Sequence, residues 1–272
     1  MPNTCSTYVR TTCLCLLRLL AAFAAFTAAA WMAISPATAA PFEDTIAQRA
    51  MACTACHGPQ GRAGPDGYYP RLAGKPAGYL YNQLLNFRDG RRHYGLMTQL
   101  IAPLSDAYLM EIAQYFSRLE VPYPAPLPAT ASPGVMRHGQ QLVMQGDAAR
   151  GLPACVQCHG QSMTGVAPSI PGLLGLPRDY LNAQLGAWKA GQRRAHAPDC
   201  MKNVVDHLTP DDINAVASWI AAQPLPASTK PATTMPAPAP GAVAITCGSA
   251  ADLPAVPVLP VAPAGPVRKA QK

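Results

Sequence analysis

The feature that most constrains this chain is an internal repeat at a spacing of about one hundred residues. Cys53-Thr54-Ala55-Cys56-His57-Gly58 returns as Cys155-Val156-Gln157-Cys158-His159-Gly160, and Pro70-Arg71-Leu72-Ala73-Gly74 as Pro171-Gly172-Leu173-Leu174-Gly175. Tyr79-Leu80 with Gln83-Leu84 matches Tyr180-Leu181 with Gln184-Leu185; Phe87 and Gly90 match Trp188 and Gly191. Met97 and Leu104, with the helical pattern after them, match Met201 and Leu208. Landmarks that recur in one order imply two copies of one fold in tandem, each with its own small core.

The joints are visible in composition. Residues 121–133 are rich in Pro and Ala and poor in periodic apolar residues, the pattern of a stiff linker between a first domain at 40–120 and a second at 134–223. From residue 224 to 272 the chain is nearly all Pro, Ala, Thr and Val, with few aromatics and little charge, and is expected to be a disordered tail. Residues 1–39 read as a secretory signal peptide. Arg10 and Arg18 precede an apolar run from Leu19 to Ile34, and Ala37-Thr38-Ala39 offers a small-x-small cleavage site. The alternative is a retained anchor, but the run falls short of the roughly twenty residues a spanning helix needs. Export implies a periplasmic location, with peripheral membrane association left open. The net charge of +7 does not argue for nucleic acid. The leader arginines and the basic tail residues Lys230, Arg268, Lys269 and Lys272 carry most of it.

Each repeat reads as about three helices, and the class is all-α, since no segment sustains a two-residue alternation. The first helices are expected over 42–51 and 134–145, and the second, in the first copy, over 77–88. The third helices carry the best start signals. Ser105 caps one, with Leu104 poised to staple to Leu109; Thr209 caps the other, with Pro210 and Asp212 in its first turn and Leu208 facing Ile213. Leu109, Ile112, Ala113 and Phe116, and likewise Ile213, Val216, Ala217 and Ile220, fall at helical spacing.

The chemistry lies in the two Cys-x-x-Cys-His motifs. Residues at i, i+3 and i+4 share one helical face, so Cys53, Cys56 and His57, and again Cys155, Cys158 and His159, present two thiols and an imidazole together. That is what covalent haem c requires: the thiols add to the two porphyrin vinyl groups and the histidine ligates iron. A thioredoxin-like site, structural zinc or simple disulfides would each use the cysteines, but none accounts for a histidine directly after both pairs.

The sixth ligand is expected from Met97 and Met201, which lie at matching places in the loop before the third helix. Thioether ligation favours ferrous iron and raises the potential. His93 is the rival in the first repeat; Cys200, His196 and His207 are the rivals in the second. The Pro70 and Pro171 carbonyls are candidates to orient the ligating histidines. Arg91, Arg92, Arg193 and Arg194 are either partners for haem propionates or a solvated helix end. Cys200 and Cys247 are the cysteines left over once the leader and the haem pairs are set aside, and a disulfide between them is one reading that spacing alone does not fix.

Over roughly residues 42–222 these motifs resemble the dihaem cytochrome c4 type, two fused class I cytochrome c domains. The carrying residues are CTACHG, PRLAG and Met97, then CVQCHG, PGLLG and Met201. The resemblance implies a periplasmic protein that passes single electrons between redox partners, with a terminal oxidase or a dehydrogenase as donor or acceptor. The alternatives are a haem-bearing subunit of a membrane-associated dehydrogenase or oxidase, and a dihaem enzyme such as a thiosulfate-oxidising cytochrome. No acid–base constellation near the haem motifs argues for catalysis, so the chain is expected not to be an enzyme. Cys200, the Ala197-Pro198-Asp199 insertion and the Pro/Ala tail depart from the family pattern.

Overall fold

A computed structural model describes residues 44–250 apart from 65, 66 and 127; the leader, its cleavage site and the tail beyond residue 250 lie outside the described residues. The first repeat contains α1 (Ile46–Arg49), α2 (Met51–His57), α3 (Ala77–Arg88), α4 (Gly95–Ile101) and α5 (Asp106–Arg118). The second contains α6 (Pro133–Gln145), α7 (Cys155–His159), a two-stranded antiparallel hairpin of β1 (Gly165–Val166) and β2 (Ile170–Pro171), then α8 (Arg178–Lys189), α9 (Cys200–Asp206) and α10 (Pro210–Ala221). Among the described residues no helix is long and apolar enough to cross a membrane.

The expected helices form where their signals lie. The Ser105 hydroxyl accepts from the Tyr108 N–H at the start of α5. At α10 the Thr209 hydroxyl accepts from the Asp212 N–H at 3.1 Å while the Asp212 carboxylate accepts from the Thr209 N–H at 2.9 Å, a complete capping box. Leu109, Ile112, Ala113 and Phe116 of α5 are buried in one core, and Ile213, Val216, Ala217 and Ile220 of α10 in another. Each core draws on one repeat alone. Gly139 lets α6 cross α10 closely, since a Cβ there would stand 2.1 Å from the Ala215 carbonyl oxygen.

Several local features differ from expectation. The first helical segment of the first repeat breaks at Ala50 and continues through the Cys-x-x-Cys-His motif. Met97 and Met201 lie not in loops but on short helices, α4 and α9. Asp199 begins α9 by accepting from the Lys202 N–H at 3.0 Å, which gives the unexpected Ala197-Pro198-Asp199 insertion a local role. Composition also predicted a disordered tail from residue 224; up to residue 250 it is irregular but tied down. Ala232 pairs with the hairpin, its N–H donating to Gly165 and its carbonyl accepting from Ala167. A disulfide joins Cys200 to Cys247.

The linker is clamped rather than free. Arg71, buried in the first repeat, donates to the Val121 and Pro122 carbonyls and stacks over the Tyr123 ring at 3.8 Å. The repeats meet through reciprocal contacts. Arg92 donates to Gln184 at 2.8 Å and to its own repeat's Gln83 at 3.1 Å; Arg193 donates to Gln83 at 3.0 Å and to its own Gln184 at 2.7 Å.

Candidate haem sites

The four cysteines, two histidines and two methionines favoured from sequence as haem attachment or ligand positions face one connected cavity of about 1950 Å³ that runs through both repeats. Cys53, Cys56, His57 and Met97 line its first part, and Cys155, Cys158, His159 and Met201 its second. The walls are mostly aliphatic and aromatic. The two histidines are buried and oriented alike: the His57 Nδ1–H donates to the Pro70 carbonyl at 2.8 Å, and the His159 Nδ1–H to the Pro171 carbonyl at 2.7 Å. A carbonyl can only accept, so Nδ1 holds the proton and Nε2 offers its lone pair. His57 Nε2 is buried, and no hydrogen-bond partner meets it among the described residues. Burial pushes both imidazoles below the ordinary histidine value, against a smaller opposing effect of the proline carbonyls, which keeps them neutral as metal ligands require.

The rivals for the sixth position separate. Cys200 is committed to its disulfide. His196 meets the Arg91 guanidinium at 3.1 Å and His207 bonds the Asn203 carbonyl at 2.8 Å; neither lines the cavity. His93 does line it but is exposed, whereas Met97 packs against the first core. Met201 packs in the same way against the second core. Nor do the thiols belong to a zinc site: among the described residues no three His, Cys, Asp or Glu side chains gather as metal ligands would.

Arg92 and Arg193 also line the cavity, stacked over Phe87 at 4.4 Å and Trp188 at 3.7 Å, and among the described residues neither forms an ion pair. Burial, reinforced by neighbouring Arg92, pushes Arg193 down to about 10. A buried and a half-buried guanidinium group side by side, without a carboxylate, suit a ligand that brings its own anions. The donor set therefore fits haem at both sites: thiols for its vinyl groups, a buried imidazole, a soft thioether, an apolar envelope and guanidinium groups for its propionates.

Sequence reasoning missed two groups. Tyr68, Tyr69 and Tyr94 pack edge to face beside His57, with the Tyr69 and His57 ring centroids 6.0 Å apart. The paired tyrosines just before Pro70 were the available signal, and Ser169 and Ile170 stand at the matching places. Lys75, whose counterpart is Leu176, is buried and reaches from the first repeat to donate to the Gly172 carbonyl at 2.7 Å, next to the Pro171 that orients His159.

Thiol pairs, buried imidazole and thioether, assembled twice in one apolar cavity, define the class: a c-type cytochrome with two covalent haems. Comparison with known proteins gives the family. A cytochrome c family model matches residues 137–223. The chain is 40% identical over 196 residues to a thiosulfate dehydrogenase electron acceptor from Thiomonas intermedia, covering 72% of this chain and 86% of that protein. It is 34% identical over 174 residues to cytochrome c4 of Pseudomonas aeruginosa, covering 63% of this chain and 84% of the relative. The crystal structure of reduced recombinant cytochrome c4 from Pseudomonas stutzeri superposes with a TM-score of 0.55 at 30% identity, over 67% of this chain and 99% of that one. The chain belongs to the dihaem cytochrome c4 type, carries covalent haem c and transfers electrons.

Proposed function

We propose that this protein is a periplasmic carrier, not itself an enzyme, that accepts electrons singly from a thiosulfate dehydrogenase and passes them to a further redox protein such as a terminal oxidase. Residues 40–120 and 134–223 act as its two haem domains, joined by the linker at 121–133. Cys53, Cys56, Cys155 and Cys158 are the thioether positions, and His57 with Met97 and His159 with Met201 the axial pairs. The observation that carries the electron-acceptor reading is the 40% identity, over most of both chains, to a protein of that name.

Bound haem supplies an iron that cycles between ferric and ferrous states without breaking a substrate bond. The chain does the rest. The Pro70 and Pro171 carbonyls fix the imidazole tautomers, and the apolar walls exclude water. Met97 and Met201, packed against the two cores, would supply the thioether at each iron and so leave no open site for substrate.

The test is a spectroelectrochemical titration of the full holoprotein with and without carbon monoxide, followed by mixing with a purified thiosulfate dehydrogenase and thiosulfate. The expected result is two low-spin haems that ignore carbon monoxide and are reduced only when both enzyme and thiosulfate are present. A haem that binds carbon monoxide readily would overturn the carrier reading. Failure of the enzyme to reduce either haem would overturn the partner.

A further inference from the structure

Residues 224–250 lie almost wholly beyond the repeat, yet they touch each of the three segments that build the second haem site. Ala232 adds to the hairpin that carries Pro171, the carbonyl partner of His159. The Val243 carbonyl accepts from the Gln157 side chain at 2.8 Å, and Gln157 lies between Cys155 and Cys158. Cys247 is bonded to Cys200, the residue before Met201. The Gly248 N–H donates to the Pro198 carbonyl at 2.9 Å, and a Cβ at Gly248 would stand 2.1 Å from the Ala197 carbonyl oxygen, so the segment is laid closely along the start of α9. Its far end crosses to the first repeat, where Asn82 donates to the Ser249 carbonyl at 2.8 Å. Met235, Ile245 and Ser249 face the cavity. At the place of Cys200 the first repeat has Leu96, which is exposed, so no such latch exists there.

We propose that residues 224–250 form a disulfide-latched strap that positions the Met201 helix and closes the second haem site, so that the two haems differ in how readily their sixth ligand yields. Cys200 and Cys247 are positioning residues: they touch neither iron nor substrate. The latch confines α9 because the disulfide, at a sequence separation of 47, ties residues 224–250 covalently to that helix, whereas their contacts with the hairpin, Gln157 and Pro198 are hydrogen bonds. The inference rests on the assignment of Met201 as the iron ligand.

The experiment opens the latch in the folded protein. An excess of a small dithiol breaks the Cys200–Cys247 bond; two electrons and two protons pass to the protein, giving two thiols, and the dithiol becomes a cyclic disulfide. The new thiols are alkylated, the haems reoxidised, and the product compared with untreated full-length holoprotein and with the Cys247→Ser variant. The readouts are the weak red charge-transfer band of a thioether–ferric haem bond and carbon monoxide binding by the ferrous protein. Opening is expected to remove about half of the band and to raise carbon monoxide affinity at one haem of the two by about tenfold. Met97→Ala, which leaves the latch closed, identifies the other haem. An opened protein with the full band and unchanged carbon monoxide binding would overturn the strap. If untreated protein already lacks the band at one haem that is not Met97's, the Met201 assignment fails, and the strap with it.

Discussion

Replacing Asp212 with Ala should weaken the second repeat far more than loss of the matching cap in the first. Asp212 is 3% exposed and gathers three donors: the His138 ring at 2.6 Å, the Arg150 guanidinium at 2.7 Å and the Thr209 N–H at 2.9 Å. It thereby ties the start of α10 to α6 and to the turn before α7. Burial by itself would raise its pKa, but the bonds from Arg150, from Thr209 and from His138 outweigh that and hold the carboxyl well below the usual carboxylate range. Hydrogen bonds to a charged group contribute about 1.5–3 kcal/mol each and a cap about 1 kcal/mol. Arg150 and His138 are 34% and 44% exposed, so once orphaned they regain water, and the summed loss must be discounted. The net expectation for Asp212→Ala is about 3 kcal/mol, against about 1 kcal/mol for Ser105→Ala, whose hydroxyl serves a single N–H.

The sign with pH follows from the depressed pKa. The contribution of Asp212 is fully present above the unfolded aspartate value of about 3.9 and is lost as pH falls below it, so the gap between wild type and variant should narrow by about 1 kcal/mol between about pH 5 and about pH 3. Trp188 and Trp219 both belong to the second repeat, and the remaining tryptophan, Trp31, lies in the leader. Denaturant unfolding of the oxidised holoprotein followed by tryptophan emission therefore reports the second repeat. A loss under about 1 kcal/mol, or a gap that ignores pH, would refute the reasoning.

Two further changes test other parts of the structure. Gly139→Ala puts a methyl against the Ala215 carbonyl and Trp219, and should destabilise the second repeat by about 2–3 kcal/mol in the same assay; an effect within about 0.5 kcal/mol would mean that the helices do not cross so closely. Burial, with a smaller contribution from Arg71, pushes Lys75 down to about 7, below the unfolded lysine value, so its cost to the fold is present at low pH and relieved as pH rises. Wild type should therefore gain about 2 kcal/mol more than Lys75→Met between about pH 7 and about pH 9; parallel stability curves would show the amine to be hydrated.

The site was more legible than its surroundings. The two Cys-x-x-Cys-His motifs are local patterns that the chemistry of haem attachment dictates residue by residue, while the two methionines were read from their matching positions. The capped helices α5 and α10 were readable for the same reason, and α3 runs over the expected residues, Ala77–Arg88. The helices that carry the methionines were not. Each has seven residues, and no side chain caps α4, so no periodic signal accumulates. Composition carried no sign of the ties at residues 224–250, because a Pro/Ala segment with little to bury is held here by one covalent bond and a few backbone groups. Arg92 and Arg193 read equally well as a solvated helix end, since only the meeting of two distant segments places them side by side.

That meeting has the form of a homodimer. Arg92 to Gln184 and Arg193 to Gln83 are one contact written in both directions, the self-complementary exchange a two-fold axis imposes on identical subunits. Joining the copies in one chain removes their dependence on concentration and also releases them from identity. In a true dimer, a lysine at position 75 would have to appear on both sides of the axis, as would a cysteine before the methionine. Here each occurs once, opposite Leu176 and Leu96. Fusion keeps the symmetric seam while leaving each half free to surround its haem with different residues.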